Sequence, residues 1–300
     1  MSRPEAFLAY LGDVLPRIDA ELDRLLPAVE RAPRRLHEAM RYCTFAGGKR
    51  LRPALTLLAA EACGAGREVA LAPGAAIEMI HTYSLVHDDL PALDDDDLRR
   101  GRATVHRRYD EATAVLAGDA LLTLGLTTLA AEPADAPAER RRAAVALVGE
   151  AIGTAGMIGG QMEDVEAEAA WPADPEAALE RIHRGKTAAL LAASLELGAL
   201  HAGADAETRA RFRDFGFTLG LMFQIADDIL DVVGTAGALG KTAGKDARAH
   251  KLTYPALYDL PRSRQELERL RGAATARTTG LPGRHDLFRS LADFLAARDH

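Results

Sequence analysis

An all-α single domain is what this sequence predicts, and three observations lead there. Apolar residues recur at three- and four-residue steps, as in Leu8, Leu11, Leu15, Ile18, Leu22 and Leu25, the spacing of one face of a helix. Alternating strand patterns are scarce, and no internal repeat is evident. Long segments such as Pro175 to Leu200 and Asp205 to Val233 run helical between glycine and proline breaks. The 300 residues then form one bundle spanning 1–300, of the kind that builds its site from side chains on facing helices around a central cavity.

Taken in order, the N-terminal stripe is interrupted by Pro16, so it reads as two short helices or one kinked one. Gly47-Gly48 separates an amphipathic stretch, Arg34 to Phe45, from an apolar one, Pro53 to Cys63, which Gly64 and Gly66 end. Ala75 to Leu90 and Ala112 to Ala131 read as buried helices, the second followed by a loop from Pro133 to Pro137. Ala138 to Val165 is a long segment softened by Gly149, Gly153, Gly156, Gly159 and Gly160. Gly234 to His250 reads as a glycine-rich loop, and Pro282-Gly283 breaks a weakly periodic C-terminal part.

Composition narrows the class. A net charge of -7 argues against a nucleic-acid partner. Two cysteines, Cys43 and Cys63, are too few for a disulfide framework and suit a reducing cytoplasm. The N-terminus lacks the apolar core of a signal peptide, and the uncharged run Ala120 to Ala131 is too short to span a bilayer. Only five of the 37 basic residues are lysines: Lys49, Lys186, Lys241, Lys245 and Lys251. A lysine kept in so arginine-rich a chain points to a site that needs a compact point charge.

Two aspartate clusters carry the chemistry. The first runs from Asp88-Asp89 through Leu90-Pro91-Ala92-Leu93 to Asp94, followed by Asp95, Asp96 and Asp97; the second is Asp227-Asp228-Ile229-Leu230-Asp231. Both are embedded in apolar sequence, where carboxylates are costly unless a cation compensates them. Acids lining a shared cavity suit Mg2+, which takes one or two carboxylates and completes its coordination with water and substrate phosphate. Asp227 and Asp231 are four apart and so share a helix face, with Gln224 one turn earlier on the same side. Asp88 and Asp94 are six apart and would diverge on a straight helix. Pro91 disfavours helical geometry at Leu90, so the chain can turn Asp94 back towards Asp88. Asp95 is a weaker candidate for that role, and Asp96 and Asp97 read as a solvated loop. Arg99-Arg100-Gly101-Arg102 follows, free to grip phosphate if metal holds the acids. Gly47-Gly48-Lys49-Arg50-Leu51-Arg52-Pro53 opens a helix where backbone N–H groups favour anions.

With these motifs, from about Gly47 to about Leu257, the chain resembles the trans-isoprenyl diphosphate synthases, the polyprenyl synthetase family, and most of all its short-chain bacterial farnesyl and geranylgeranyl diphosphate synthases. Gly-Gly-Lys-Arg-Leu-Arg-Pro, His-Asp-Asp-Leu-Pro-Ala-Leu-Asp, Ala-Gly-Asp-Ala-Leu-Leu, Gly-Gly-Gln at 159–161, His-Arg-Gly-Lys-Thr at 183–187 and Phe-Gln-Ile-Ala-Asp-Asp-Ile-Leu-Asp carry the likeness. The resemblance implies an all-α isoprenoid synthase bundle around a deep central cavity, as a homodimer. It implies three Mg2+ ions that bridge Asp88, Asp94 and Asp227 to an allylic diphosphate, with Asp89, Asp164, Asp228 and Asp231 as further ligands or supports. Arg99, Lys186, Lys241 and Lys251 would hold that diphosphate. Lys49, Arg52, His81 and Arg100 would hold isopentenyl diphosphate without metal, and Thr187 and Gln224 would aim oxygen dipoles at the carbocation.

The implied reaction is ionisation, condensation and elimination, giving farnesyl diphosphate from C5 and C10 primers. Tyr83 lies five residues before Asp88, about 7.5 Å down the helix, where an aromatic would stop a growing C15 chain. The small Ser84 beside it leaves C20 as the alternative. A class I terpene cyclase lacks need of the second diphosphate site, and a non-catalytic partner subunit would lose aspartates that are intact here. The chain departs from the family pattern at Asp95 and at Ala103-Thr104-Val105, neither of which is an expected ligand.

Overall fold

The computed structural model describes residues 4–233 and 251–297; Lys241, Lys245 and the expected loop from Gly234 to His250 lie outside the described residues. The described chain is helical almost throughout. In order come α1 (Glu5–Leu25), α2 (Arg34–Thr44), α3 (Leu51–Ala62), α4 (Glu68–Asp88), a small hairpin of β1 (Leu98–Arg99) and β2 (Arg102–Ala103), α5 (Val105–Arg108), α6 (Glu111–Ala131), α7 (Ala138–Ile152) and α8 (Met157–Ala169). Then follow α9 (Pro175–Ile182), a π-helical turn (His183–Ala188), α10 (Ala189–His201), α11 (Ala206–Val233), α12 (Tyr254–Tyr258), α13 (Leu260–Arg277) and α14 (His285–Ala296).

The axis of the bundle is α10. All of its residues are buried, the pattern of a helix apolar on every side, and α3, α4, α7 and α11 pack around it. Helix α3 is buried except at Glu61, so the two inner helices form a dry centre. Helix starts follow their sequences: Asp110 accepts from the Thr113 N–H at 2.6 Å, Asp174 from Ala177 at 3.1 Å and Asp259 from Arg262 at 2.9 Å, each satisfying a first-turn donor.

Several expectations are refined. Pro16 lies inside one continuous α1, on its exposed side, where water can take the carbonyl that the ring leaves without a donor. The segment after Pro137 is two helices, divided at Gly153–Gly156. The span from Pro175 to Leu200 is interrupted by the π-helical turn, a form that recurs at functional sites. The expectation from Ala120 to Ala131 was too short: that helix begins at Glu111, and three segments, Glu68–Asp88, Glu111–Ala131 and Ala138–Ala169, are long and apolar enough to cross a membrane by length and composition. For α4 the apolarity is accounted for by burial, with 72% of its window inside the protein.

Arg50 locks this frame. It sits in a left-handed conformation (φ 49°) and is turned inward rather than towards a ligand. Its guanidinium donates to Glu78 at 3.1 Å, Asp19 at 2.9 Å and the Thr44 carbonyl at 2.8 Å, so it ties α1, α2 and α4 to the start of α3. Glu78 is buried with it. Removing one partner of a buried pair strands the other charge. Arg50→Met is expected to lower unfolding stability by about 3–5 kcal/mol, with most of the loss recovered in the double variant with Glu78→Leu, as read from urea unfolding.

Candidate active site

The first acidic cluster closes on itself at the end of α4. The helix stops at Asp88, and the Asp94 N–H donates to the Asp88 carbonyl at 2.8 Å, while Asp95 bonds back to Leu90 at 3.1 Å and Asp96 to Asp89 at 3.2 Å. Pro91 therefore turns Asp94 back to Asp88, as its spacing predicts. Asp95 takes a left-handed φ of 48°, a conformation tolerated by Asp and Asn more readily than by other non-glycine residues. The solvated reading fails for Asp96. It is buried, its carbonyl accepts from Thr104 Oγ1 at 2.8 Å, and its carboxylate lies 3.6 Å from Arg99. Asp97 is exposed and pairs with Arg107. Arg99 is not free: its guanidinium lies 2.6 Å from Asp89.

The π-helical turn supplies the next wall. Lys186 Nζ lies 2.5 Å from Asp164 on α8. This contact needs two backbones to touch, because a Cβ at Gly160 would fall 2.2 Å from the Lys186 amide nitrogen. Lys251 bridges Asp94 at 2.9 Å and Glu168 at 3.3 Å. Glu168 was missed by sequence reasoning; the available signal was its place one helical turn after Asp164, on the same face.

On α11 the residues separate in role. Thr187 Oγ1 donates to Gln224 Oε1 at 2.6 Å, and Gln224 Nε2 donates to Asp228 at 2.8 Å. The other Asp228 oxygen accepts from the Tyr254 N–H at 2.9 Å and faces His183 Nε2 at 3.3 Å. Gln224 thus bonds to Asp228 rather than standing with Asp227 and Asp231. Asp231 is buried and Asp227 half-buried.

A cationic wall stands behind the first cluster. Arg52 is buried. Burial and the Arg52, Arg100 and Arg99 guanidiniums hold the His81 imidazole well below its ordinary pKa, and therefore neutral. Arg100 donates to the Gly47 carbonyl. Lys49 Nζ sits 5.2 Å from the centre of the Phe294 ring, directed at α14. Tyr83 is buried, its ring edge-on to His87 with centroids 5.7 Å apart, and its hydroxyl has no hydrogen-bond partner among the described residues. The Ser84 hydroxyl donates to the His81 carbonyl at 2.9 Å.

Electrostatics match this crowding. Burial, with Asp94 and Asp89 nearby, pushes the Asp88 carboxyl up to about 6 against the opposing pull of Lys186 and Arg99. Burial also pushes Asp89 up to about 6, despite its Arg99 partner. For Lys186, burial favours the neutral amine, yet Asp164 and Asp88 outweigh it and the ammonium is held. For Asp228, burial acts upward, but His183, the Tyr254 amide and Gln224 bring the carboxyl below its ordinary value.

Among the described residues no three His, Cys, Asp or Glu side chains converge as a ready metal cage. The donor set nonetheless fits Mg2+. It offers oxygen only, and burial holds the Asp88 and Asp89 carboxyls up at about 6, so an added cation would favour their ionised forms. An ion that keeps waters and shares substrate phosphate needs no all-protein cage.

Fold and site together define a helical scaffold that sets buried and half-buried carboxylates beside a group of arginine side chains. Comparison with known proteins names the family. The polyprenyl synthetase model matches residues 33–281, and the chain belongs to that family of prenyltransferases. It is 41% identical over 291 residues to a dimethylallyltranstransferase of Fischerella ambigua, covering 97% of this chain and 83% of that protein. It is 47% identical over 251 residues to the chloroplastic geranylgeranyl pyrophosphate synthase 12 of Arabidopsis thaliana, covering 83% and 69%. The crystal structure of an FPP/GFPP synthase from Zymomonas mobilis superposes with a TM-score of 0.86 at 36% identity, over 98% of this chain and 100% of that one.

The raised carboxyls give a pH signature. A carboxyl whose folded pKa exceeds its unfolded value binds more protons when folded, so its contribution to stability is present at low pH and lost as pH rises. Metal-free protein is expected to lose stability from about pH 4 to about pH 6 on account of Asp88 and Asp89. Thermal melting in chelator should show a shallower slope for Asp88→Asn than for the parent.

Proposed function

We propose that this protein is a short-chain trans-prenyltransferase that joins isopentenyl diphosphate to allylic diphosphates, C5 and then C10, to give farnesyl diphosphate. The observation that supports it most is the presence of two anion-binding chemistries side by side. Asp88, Asp89 and Asp94 make a carboxylate wall that needs added positive charge, whereas Arg52, Arg100 and Arg99 surround a neutral His81. A metal-bridged diphosphate suits the first and a directly held diphosphate the second. A cyclase has no use for the second.

When bound, Mg2+ supplies Lewis-acid neutralisation of the leaving diphosphate. Asp88, Asp94 and Asp227 would hold three ions, with Asp89, Asp164 and Asp231 beside them. Lys186, Lys251 and Arg99 would turn from their carboxylates towards the phosphate oxygens, with Lys241 assigned the same role by the resemblance. Charge develops on the diphosphate as the allylic C–O bond breaks, and fixed cations are worth most there. Lys49, Arg52, His81 and Arg100 hold isopentenyl diphosphate so that its double bond faces the allylic carbon. Its π electrons form the new C–C bond, and a proton then leaves the adduct for the released diphosphate. The oxygens of Thr187 and Gln224 face the cation meanwhile.

Tyr83 supports C15 as the product. Relatives named geranylgeranyl pyrophosphate synthases, such as that of Capsicum annuum at 41% identity, favour C20 as a second reading. Purified protein with Mg2+, isopentenyl diphosphate and C5, C10 or C15 primers is expected to give a C15 alcohol after dephosphorylation, and Tyr83→Ala a longer one. A C20 product from the parent supports the second reading, and an unchanged C15 product from Tyr83→Ala removes the stopper role.

A homodimer and a cytoplasmic setting belong to the same reading. Val115 and Leu116, neighbouring exposed apolar side chains on α6, suit burial against a second copy. Sedimentation should show a dimer, shifted towards monomer by Leu116→Asp.

A further inference from the structure

Asp228, in the second cluster, is engaged by protein groups on both of its oxygens. Gln224 Nε2 reaches one oxygen at 2.8 Å, and the Tyr254 N–H and His183 Nε2 reach the other at 2.9 Å and 3.3 Å. An ionised carboxylate only accepts hydrogen bonds. It therefore dictates the sense of the Gln224 amide: the NH2 must face Asp228, so Oε1 must face away. That oxygen takes the Thr187 hydroxyl hydrogen at 2.6 Å. With its hydrogen committed to Gln224, Thr187 keeps its lone pairs for whatever lies on its other side.

The same carboxylate joins three separate pieces of chain. Gln224 and Asp228 belong to α11. His183 opens the π-helical turn that also carries Lys186 and Thr187. Tyr254 opens α12, three residues after Lys251, whose ammonium bridges Asp94 and Glu168. The His183 and Tyr254 rings stack with centroids 6.4 Å apart, which closes the clasp from the apolar side.

We propose that Asp228 and His183 are positioning residues: they set the Gln224 amide, and through it the Thr187 hydroxyl, and they pin the chain at Tyr254 so that Lys251 reaches the first acidic cluster. The consequence for the reaction rests on the prenyltransfer reading above; the clasp itself does not. Asp228 then acts as a brace, not as a metal ligand, although it sits between Asp227 and Asp231.

The test compares Asp228→Asn, His183→Phe, His183→Gln and Asp227→Asn in the full chain. An asparagine presents a donor where Asp228 presents only acceptors, so it must oppose either Gln224 or the pair of Tyr254 and His183. Hydrogen exchange at residues 252–258 without metal or substrate should rise for Asp228→Asn and His183→Phe, and His183→Gln, which keeps a donor, should restore protection. The Mg2+ concentration giving half of the thermal shift produced by inorganic diphosphate should stay within about twofold for these variants and rise about tenfold or more for Asp227→Asn. In turnover, kcat should fall about tenfold or more with KM for isopentenyl diphosphate little changed. A Mg2+ requirement raised by Asp228→Asn as much as by Asp227→Asn, with exchange unmoved, overturns the proposal. Where Asp228→Asn fails to fold, the His183 pair decides: protection lost in Phe and regained in Gln upholds the clasp, and equal protection in both overturns it. A parent protein that transfers no prenyl group defeats the functional reading alone, since exchange and the thermal shift still report on the clasp.

Discussion

Carboxylate crowding is the constraint on which the rest of this structure depends. Asp88, Asp89 and Asp94 at the end of α4 are linked through Lys186, Lys251 and Arg99 to one another and to Asp164 and Glu168 on α8, and buried like charges cannot persist without compensation. Two answers are built in. Lysine and arginine side chains neutralise Asp89, Asp94, Asp164 and Glu168 directly, and backbone and amide donors satisfy Asp228. Burial still pushes both Asp88 and Asp89 up to about 6, against the pull of Lys186 and Arg99 on Asp88 and of Arg99 on Asp89. The site is thus left short of positive charge at the place where the functional reading brings a dication and its phosphate.

The bundle makes this crowding possible by being over-determined elsewhere. Helices α10 and α3 bury nearly every residue, and Arg50 ties α1, α2 and α4 together from below. A frame of that kind can hold an irregular element such as the π-helical turn, which offsets Lys186 and Thr187 from the register of a continuous helix. Glycine at 160 then lets α8 lie against that turn. Stability is concentrated in the centre, and the charged end depends on it.

What could be read from sequence followed the range of each interaction. Helix periodicity and the proline-driven return of Asp94 to Asp88 were legible, because spacing carried them; the hydrogen bond from Thr187 to Gln224 was not, since the resemblance named both residues without pairing them. Arg50, Asp96 and His183 were not legible either. Arg50 stands in a motif that reads as a phosphate loop, yet its partners are Glu78, Asp19 and Thr44, distant in sequence. Asp96 looks like one of a run of solvated acids, and only the fold of the hairpin buries it. His183 gains its meaning from Asp228 and Tyr254, which are 45 and 71 residues away by their numbers. Side-chain partners across such separations are set by tertiary packing, which periodicity does not encode.

The scarcity of lysine was the subtler signal, and the geometry explains why it was informative. Lys186 sits 2.5 Å from Asp164 and acts on Asp88 as well, and Lys251 lies between Asp94 and Glu168. Each ammonium is a point charge with three donors that can serve two carboxylates from different helices and swing to a third acceptor. A guanidinium is planar and engages a carboxylate through a rigid fork, as Arg99 does with Asp89. In a chain that uses arginine almost everywhere else, Lys186 and Lys251 stand where one charge is shared between acids.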